Sequence, residues 1–286
     1  MLSYGSDVLT GKEKSGSIKV SMKFLSTLKW RLKRVQRVVE SNPYTYWFSK
    51  KFLTRISLFL PHEVDFYGFR HLIKQKAGLF LDIGANDGIS CRSFRKFNNT
   101  WKILSIEANP LHEVGLGQLK KKVRNFDFLI AAVGKTSGEQ VTLYVPAFRF
   151  IPIHRVASLA REQVEKSLSS LPFASDRRRL AYKEVATRTL RVDDLSLSPT
   201  IVKIDVEGAE LNALLGMEQT IQTARPFFLV EVKSDQFPSV NEFFSKKSYR
   251  SFGYNVKRDA FEAFRGDLFR CFFFFPSEKC DGLPIL

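Results

Sequence analysis

Residues 79–88 read Leu-Phe-Leu-Asp-Ile-Gly-Ala-Asn-Asp-Gly. A five-residue apolar run carrying one acid enters a turn bounded by Gly84 and Gly88, and residues 89–97 continue as a predicted helix. A run this short and this apolar predicts a strand buried on both faces of a parallel sheet. Strand, glycine turn and helix together form the opening unit of a doubly wound α/β fold.

Downstream, the same unit recurs. Lys102-Ile103-Leu104-Ser105-Ile106 predicts the second strand, ending at Glu107. Ala108-Asn109-Pro110 turns the chain into a helix over 111–123. A third strand is predicted over 126–132 and an alternating strand over 140–145, with Gly138 in the turn between them. The run 200–204 predicts the fourth strand, followed by Asp205 and a single helix over 211–223. Pro226 to Val230 is read as the fifth strand, ending at Glu231, with a helix near 240–246. Strands over 253–257 and 268–275 are expected to close the sheet as an antiparallel hairpin.

The glycine turn indicates the ligand. A dinucleotide fingerprint, G-x-G-x-x-G, would need glycines where Asn86 and Ile89 stand. Asp82 and Asp87 flank the loop, which is hostile to a pyrophosphate and hospitable to a cation. S-adenosylmethionine (SAM), with an ammonium and a sulfonium, fits that requirement. Glu107 follows Gly84 by 23 residues, the distance at which an acid on the second strand end can accept ribose hydroxyls. The predicted cofactor residues are Asp82, Gly84, Ala85, Asn86, Gly88, Glu107, Ala108, Asn109 and Asp205. Adenine is expected near Ala131 and Ala132.

The blocks FLDIGANDG at 80–88, IEANP at 106–110, AAVG at 131–134, TLRVDDL at 189–195, VKIDVEGAELNALLG at 202–216 and RPFFLVEV at 225–232 resemble the FkbM family of SAM-dependent methyltransferases. The resemblance spans residues 78–276, and KIDVEGAE is its most specific part. It implies a seven-stranded, mostly parallel sheet of the SAM-methyltransferase, Rossmann-like type. It also implies methyl transfer to a hydroxyl of a sugar, glycan or natural product. The chain then divides into a basic helical N-terminal arm, 1–77, and a methyltransferase domain, 78–286. Within the domain, 146–188 is an enlarged connection, predicted helical over 158–170, that serves as a lid or acceptor platform.

A hydroxyl acceptor loses a proton, so a base helps. Asp205, at the fourth strand tip, is the leading candidate, with Glu210 and Glu231 beside it and Glu207 capping the turn. Lys203, inside the strand, is expected to pair with an acid. His62, His71, His112 and His154 show no metal-ligand spacing, and no metal site is predicted; His154 is a secondary candidate base. Arg177, Arg178, Arg179, Lys183 and Arg188 crowd the connection and suggest an acidic acceptor.

The chain of 286 residues carries 45 Lys and Arg against 29 Asp and Glu, a net charge of +16. Of these, 15 bases but only 5 acids lie in residues 1–78, so most of the excess sits outside the predicted domain. Met22, Leu25, Leu28, Leu32, Val35 and Val39 recur at helical spacing among the bases of that arm. Such a helix either packs on the domain or lies on an anionic membrane surface. The charge prompts an RNA methyltransferase as one alternative, and a non-catalytic SAM-fold binding protein is another, but nucleic acid is not the expected partner. No stretch reaches the ~20 apolar residues of a membrane span. Three scattered cysteines and no legible secretory leader predict a cytoplasmic setting, with the arm as a peripheral membrane contact.

Overall fold

A computed structural model describes residues 60–148, 151–169, 180–264 and 271–286. The expected arm helix, the basic-aromatic stretch 44–59 and the Arg177–Arg179 cluster lie outside the described residues. The main sheet has eight strands, one more than expected. β1 (Leu79–Ile83), β2 (Lys102–Glu107) and β3 (Phe126–Ile130) run parallel on one side. β8 (Ile201–Ile204) and β9 (Phe227–Glu231) continue parallel on the other side of β1. β12 (Cys271–Pro276) joins β9 antiparallel, then β10 (Tyr249–Asn255) joins β12 and β11 (Ala260–Ala263) joins β10. The closing pair is thus β10 and β12, and β11, folded back onto the outer edge of β10, is the additional strand.

Both faces of this sheet are covered, which explains the unbroken apolar runs. Phe80 faces Phe69, Phe94 and Trp101, whereas Leu81 and Ile83 face the opposite core with Val202, Leu214 and Val230. β12 divides in the same way: Phe273 and Phe275 point to the first core, Phe272 and Phe274 to the second. Aromatic contact dominates both, with Phe80 stacked on Phe94 at 4.1 Å and Phe244 on Phe274 at 4.0 Å between ring centroids.

The helices predicted over 89–97, 111–123 and 158–170 are shorter in the structure, whereas the one predicted near 240–246 begins earlier, at Phe237. α1 (Phe69–Leu72) precedes the sheet; α2 (Ile89–Phe94) follows the glycine turn. α3 (Glu113–Lys122) has an acid in its first turn and three lysines in its last, as the helix dipole favours. The expected helix over 211–223 is two helices, α5 (Glu210–Leu215) and α6 (Glu218–Ala224). The break falls at Gly216, where the Gly134 carbonyl packs so closely that a Cβ would sit 2.0 Å from its oxygen. α7 (Phe237–Lys246) completes that layer.

The connection 146–188 departs most from expectation. β5 (Gln140–Phe148) and β7 (Leu180–Leu190) pair antiparallel along their length, and β4 (Ala132–Val133) and β6 (Ile151–Pro152) flank them in a second, four-stranded sheet. Lys183 and Arg188 therefore lie on a strand, β7. Among the described residues of this connection the α-helix is α4 (Arg161–Leu168), after a 3-10 turn at His154–Val156, and Val164 and Leu168 seat it on Phe148, Ile153 and Val156. The third predicted strand accordingly splits, because Ala132 and Val133 leave the main sheet to pair with β7. Among the described residues no helix is long and apolar enough to cross a membrane.

Phe273 tests the core. Its side chain is fully buried and meets the rings of Phe69, Tyr254, Phe261 and Phe275. Phe273→Ala is expected to cost about 3–5 kcal/mol, read as a lower urea midpoint at unchanged slope.

Candidate active site

The order β9-β8-β1-β2-β3 places β1 at the point where the chain switches from building rightward to building leftward. Ligands of open α/β sheets bind in the crevice outside the strand carboxyl ends at such a switch point. Here Glu107 and Glu231 end β2 and β9, Asp205 directly follows β8, and Asp82 is the penultimate residue of β1, so the fold brings all four toward one edge.

The glycine turn is held to the next strand. Gly84 and Ala85 both donate to the Ile106 carbonyl, at 2.8 and 3.3 Å. Gly84 has φ +83°, and a Cβ there would lie 1.7 Å from the Asp205 carbonyl oxygen. Only glycine lets the loops after β1 and β8 approach this closely. Gly88, at φ +79°, starts α2, and a Cβ would strike Leu119, so its role is packing.

Glu107 joins the loops after β1 and β2. Its Oε2 accepts from the Asn86 N–H at 2.7 Å, and its Oε1 from the Asn109 N–H at 2.8 Å. Burial pushes its pKa up to about 7, against the lowering effect of those two N–H groups. Asn109 uses its side chain twice, accepting from the Leu111 N–H at 3.1 Å and meeting His154 Nδ1 at 3.1 Å. His154 packs edge-on against His112 at 4.6 Å, which places it beside the β2 loop.

Lys203 is buried in β8, and its ammonium lies 3.1 Å from Asp205 Oδ2 and 3.9 Å from Asp82 Oδ1. Burial opposes its charge, but Asp205, Asp82, Glu63 and Glu231 more than offset this and raise its pKa. The expected pairing of Lys203 with an acid is therefore seen with two. Asp82 was expected at the cofactor, yet its carboxylate has no exposure and accepts from Ser105 Oγ at 2.9 Å. It anchors Ser105 and Lys203 from behind the cleft wall, and burial raises its pKa. Glu210, expected as catalytic, is also buried: its Oε1 accepts from the Gly208 N–H at 2.9 Å and so closes the turn before α5.

Asp205, Glu207 and Glu231 remain half-exposed, with carboxylate oxygens within 4.8 Å of one another. This trio could hold a divalent ion, although Lys203 already pairs with Asp205 and Lys233 lies 3.5 Å from Glu207. The second sheet closes on the same loop: Ser158 Oγ donates to the Glu207 carbonyl at 3.1 Å, and Gln163 packs against Gly208. From the other side, segment 62–63 enters. His62 donates its N–H to Ser93 Oγ at 3.1 Å, and its ring Nδ1 is 2.8 Å from the same oxygen. Neither His62 nor Glu63 has a spacing signal in the sequence, because both precede the first strand.

Residues 82–255 match the methyltransferase FkbM domain. The chain belongs to the FkbM methyltransferase family. SAM is the cofactor of this family. Among solved structures, the chain is similar to a methyltransferase FkbM from Methylobacillus flagellatus, at 15% identity and a TM-score of 0.46. That likeness covers 73% of this chain and 47% of the other, so the chain spans about half the length of the Methylobacillus protein. It is also similar to a precorrin-6y C5,15-methyltransferase from Geobacter metallireducens, at 14% identity, TM-score 0.37 and coverage of 72% and 82%. A SAM-dependent methyltransferase from Aquifex aeolicus gives 11%, 0.38, and coverage of 82% and 97%. No curated protein matches.

The FkbM cleft fits SAM on two counts. Each Glu107 oxygen, engaged by one N–H, keeps a lone pair for a further donor. Asn86 Oδ1, in the glycine turn, is buried without a hydrogen-bond partner and offers an acceptor to a ligand there.

The turn itself can be tested without a ligand. Gly84→Ala is expected to lower the thermal midpoint by several degrees, since the methyl must displace the Asp205 loop and adopt positive φ. An unchanged midpoint would show that the two loops can separate freely.

Proposed function

We propose that this chain transfers a methyl group from SAM to a hydroxyl of a sugar, glycan or other natural product. The observation that supports the reading best is the run of carboxyl groups at the ends of β2, β1, β8 and β9 around a buried ammonium. When bound, SAM supplies an electrophilic methyl group on a sulfonium.

Glu107, fixed in advance by Asn86 and Asn109, takes the two ribose hydroxyls on its remaining lone pairs. Gly84, Ala85, Asn86 and Ala108 form the backbone cradle, Asn109 braces it, and Gly88 lets α2 start close behind. Lys203 holds Asp205 by one oxygen, Oδ2, at the strand tip. The other oxygen orients the acceptor hydroxyl and takes its proton, an aid of roughly 10²- to 10⁴-fold. Glu231 lines the acceptor side with Glu207. Holding nucleophile and methyl in line supplies much of the remaining acceleration.

The half-exposed acids of the acceptor side, Asp205, Glu207 and Glu231, favour an uncharged, hydroxyl-bearing acceptor over an acidic one. The acidic acceptor drew on Arg177–Arg179, which lie outside the described residues. A peripheral membrane contact through the N-terminal arm and a cytoplasmic location belong to the same proposal. The RNA alternative draws on the basic arm, and the non-catalytic alternative is disfavoured by the acids standing together at four strand ends.

Glu107 predicts a pH dependence. Its raised pKa means that the protonated carboxyl stabilises the ligand-free fold at low pH, a contribution lost as pH rises through about 7. SAM needs the ionised form, so calorimetric affinity should rise from pH 6 to pH 8. Glu107→Gln should abolish that rise and weaken binding at pH 8 by about tenfold. Affinity flat with pH in the wild type removes Glu107 from the site.

Asp205→Asn separates chemistry from binding. Labelled methyl incorporation into cell extract should fall by about 10²-fold or more, while SAM affinity stays within a few-fold. Equal incorporation would refute Asp205 as the base.

A further inference from the structure

We propose that His154, carried by the second sheet, is a positioning residue for the cofactor: acting through Asn109, it holds Glu107 in the geometry that receives the ribose of SAM. The assignment deepens the methyltransferase reading and rests on it.

The place of His154 is set by its neighbours. His154–Val156 form a single 3-10 turn. Ile153 and Val156, three positions apart and so on one side of such a turn, are buried in the satellite core with Phe148, Val164 and Leu168. The backbone around them is tied to β5. The Ile153 N–H donates to the Pro146 carbonyl at 2.8 Å, and Tyr144 and Ser158 exchange two N–H to carbonyl bonds at 2.9 and 3.3 Å. The imidazole is therefore held from the second sheet while it reaches toward the first.

What it meets is the loop after β2. Asn109 is buried there. Its N–H donates to Glu107 Oε1 at 2.8 Å, its carbonyl accepts from the His112 N–H at 3.0 Å, and its Oδ1 accepts from the Leu111 N–H at 3.1 Å. With Oδ1 so engaged, Nδ2 is the atom that faces His154, and an amide nitrogen only donates. His154 Nδ1, at 3.1 Å, is thus the acceptor. His112 ends the 3-10 turn Pro110–His112, and its ring packs edge-on against that of His154.

The contacts run from the His154 ring to the Asn109 side chain, and from the Asn109 N–H to the Glu107 carboxylate. A buried amide hydrogen that loses its acceptor is costly. Without His154, the Asn109 side chain gains by turning out to water, which releases the Leu111 N–H and loosens the Asn109 N–H from Glu107 Oε1. Asn86 still holds Oε2, so Glu107 is then fixed by one oxygen only. A carboxylate fixed at both oxygens aims its remaining lone pairs in one direction, as two adjacent ribose hydroxyls require. Ser158, four residues after His154, donates its hydroxyl to the Glu207 carbonyl. One short segment of the second sheet thus braces both the cofactor loop and the acceptor turn.

The experiment is SAM calorimetry at pH 8, where Glu107 is ionised, on the full chain and three variants. His154→Leu keeps a branched side chain without the acceptor and should weaken SAM by about fivefold, the size of one ordinary hydrogen bond. His154→Asn puts an amide oxygen where Nδ1 stood and should return affinity to within about twofold of the wild type. His154→Gln, whose oxygen reaches the Nε2 position instead, should not. On a Glu107→Ala background, His154→Leu should cost less than about twofold, because its effect runs through that carboxylate. No loss from His154→Leu, failure of His154→Asn to rescue, rescue by His154→Gln, or an equal loss on both backgrounds would each overturn the proposal. Loss of labelled methyl incorporation at saturating SAM, with SAM affinity intact, would make His154 a base and overturn it too. A wild type that binds SAM as its variants do sinks the His154 proposal alone; one that does not bind SAM sinks the methyltransferase reading with it. If His154→Leu does not fold, the comparison of His154→Asn with His154→Gln carries the test.

Discussion

A lysine ammonium buried between two carboxylates at the join of β1 and β8 is the constraint on which the rest of this structure turns. Burying Lys203 is costly in isolation, and the cost is met only while Asp205 and Asp82 stay within reach. That requirement fixes the register of β1 against β8, with Asp82 opposite Lys203. It also holds Asp205 at the mouth of the switch-point crevice. Removing either partner would leave a charge in a dry interior, so the geometry of the edge is tied to the stability of the sheet.

Around that pair the loops are held by backbone contacts. Glu107 joins the loops after β1 and β2 through two N–H groups, and the Gly84 backbone lies against the Asp205 carbonyl. Ser158 and Gln163 reach from the second sheet and α4 onto the Glu207–Gly208 turn. Three separate parts of the chain thus bear on one crevice. Positive φ gathers at the same place: Gly84, Asn86, Gly88, Glu207 and Gly208 all adopt it. For Asn86 and Glu207 this carries strain, and strained backbone persists only where its surroundings over-determine it.

Much of this was legible in the sequence, and the reason is burial. β1, β8 and β9 are covered on both faces, so they read as short, mostly apolar runs, and an acid at or next to the end of each marks the edge. The second sheet was legible only in part: the alternating strand over 140–145 is β5, but β7 was missed, since Leu180 and Tyr182 pack on a small satellite core while Lys183 and Glu184, next to each other, are both exposed. Its charges, read next to Arg177–Arg179, suggested an acidic acceptor and gave no strand signal. β11 is four residues at the far edge of the sheet, too short for a period to show. The broken helix at Gly216 depended on the Gly134 carbonyl, which is 82 positions earlier in the chain.

The site divides along the same line. Residue type and spacing placed Glu107 and Asp205 at strand ends, where the structure has them, since an acid at the end of a buried strand is a local pattern. They could not separate Glu207 and Glu231, half-exposed at the mouth, from Asp82 and Glu210, closed off behind it, because burial is not local. The net charge of +16, which first suggested a polyanionic partner, turns out to say little about this crevice. Among the described residues the crevice gathers carboxyl groups about a buried ammonium, Lys203, whereas most of the excess of basic residues falls in 1–78, ahead of the matched domain in the sequence.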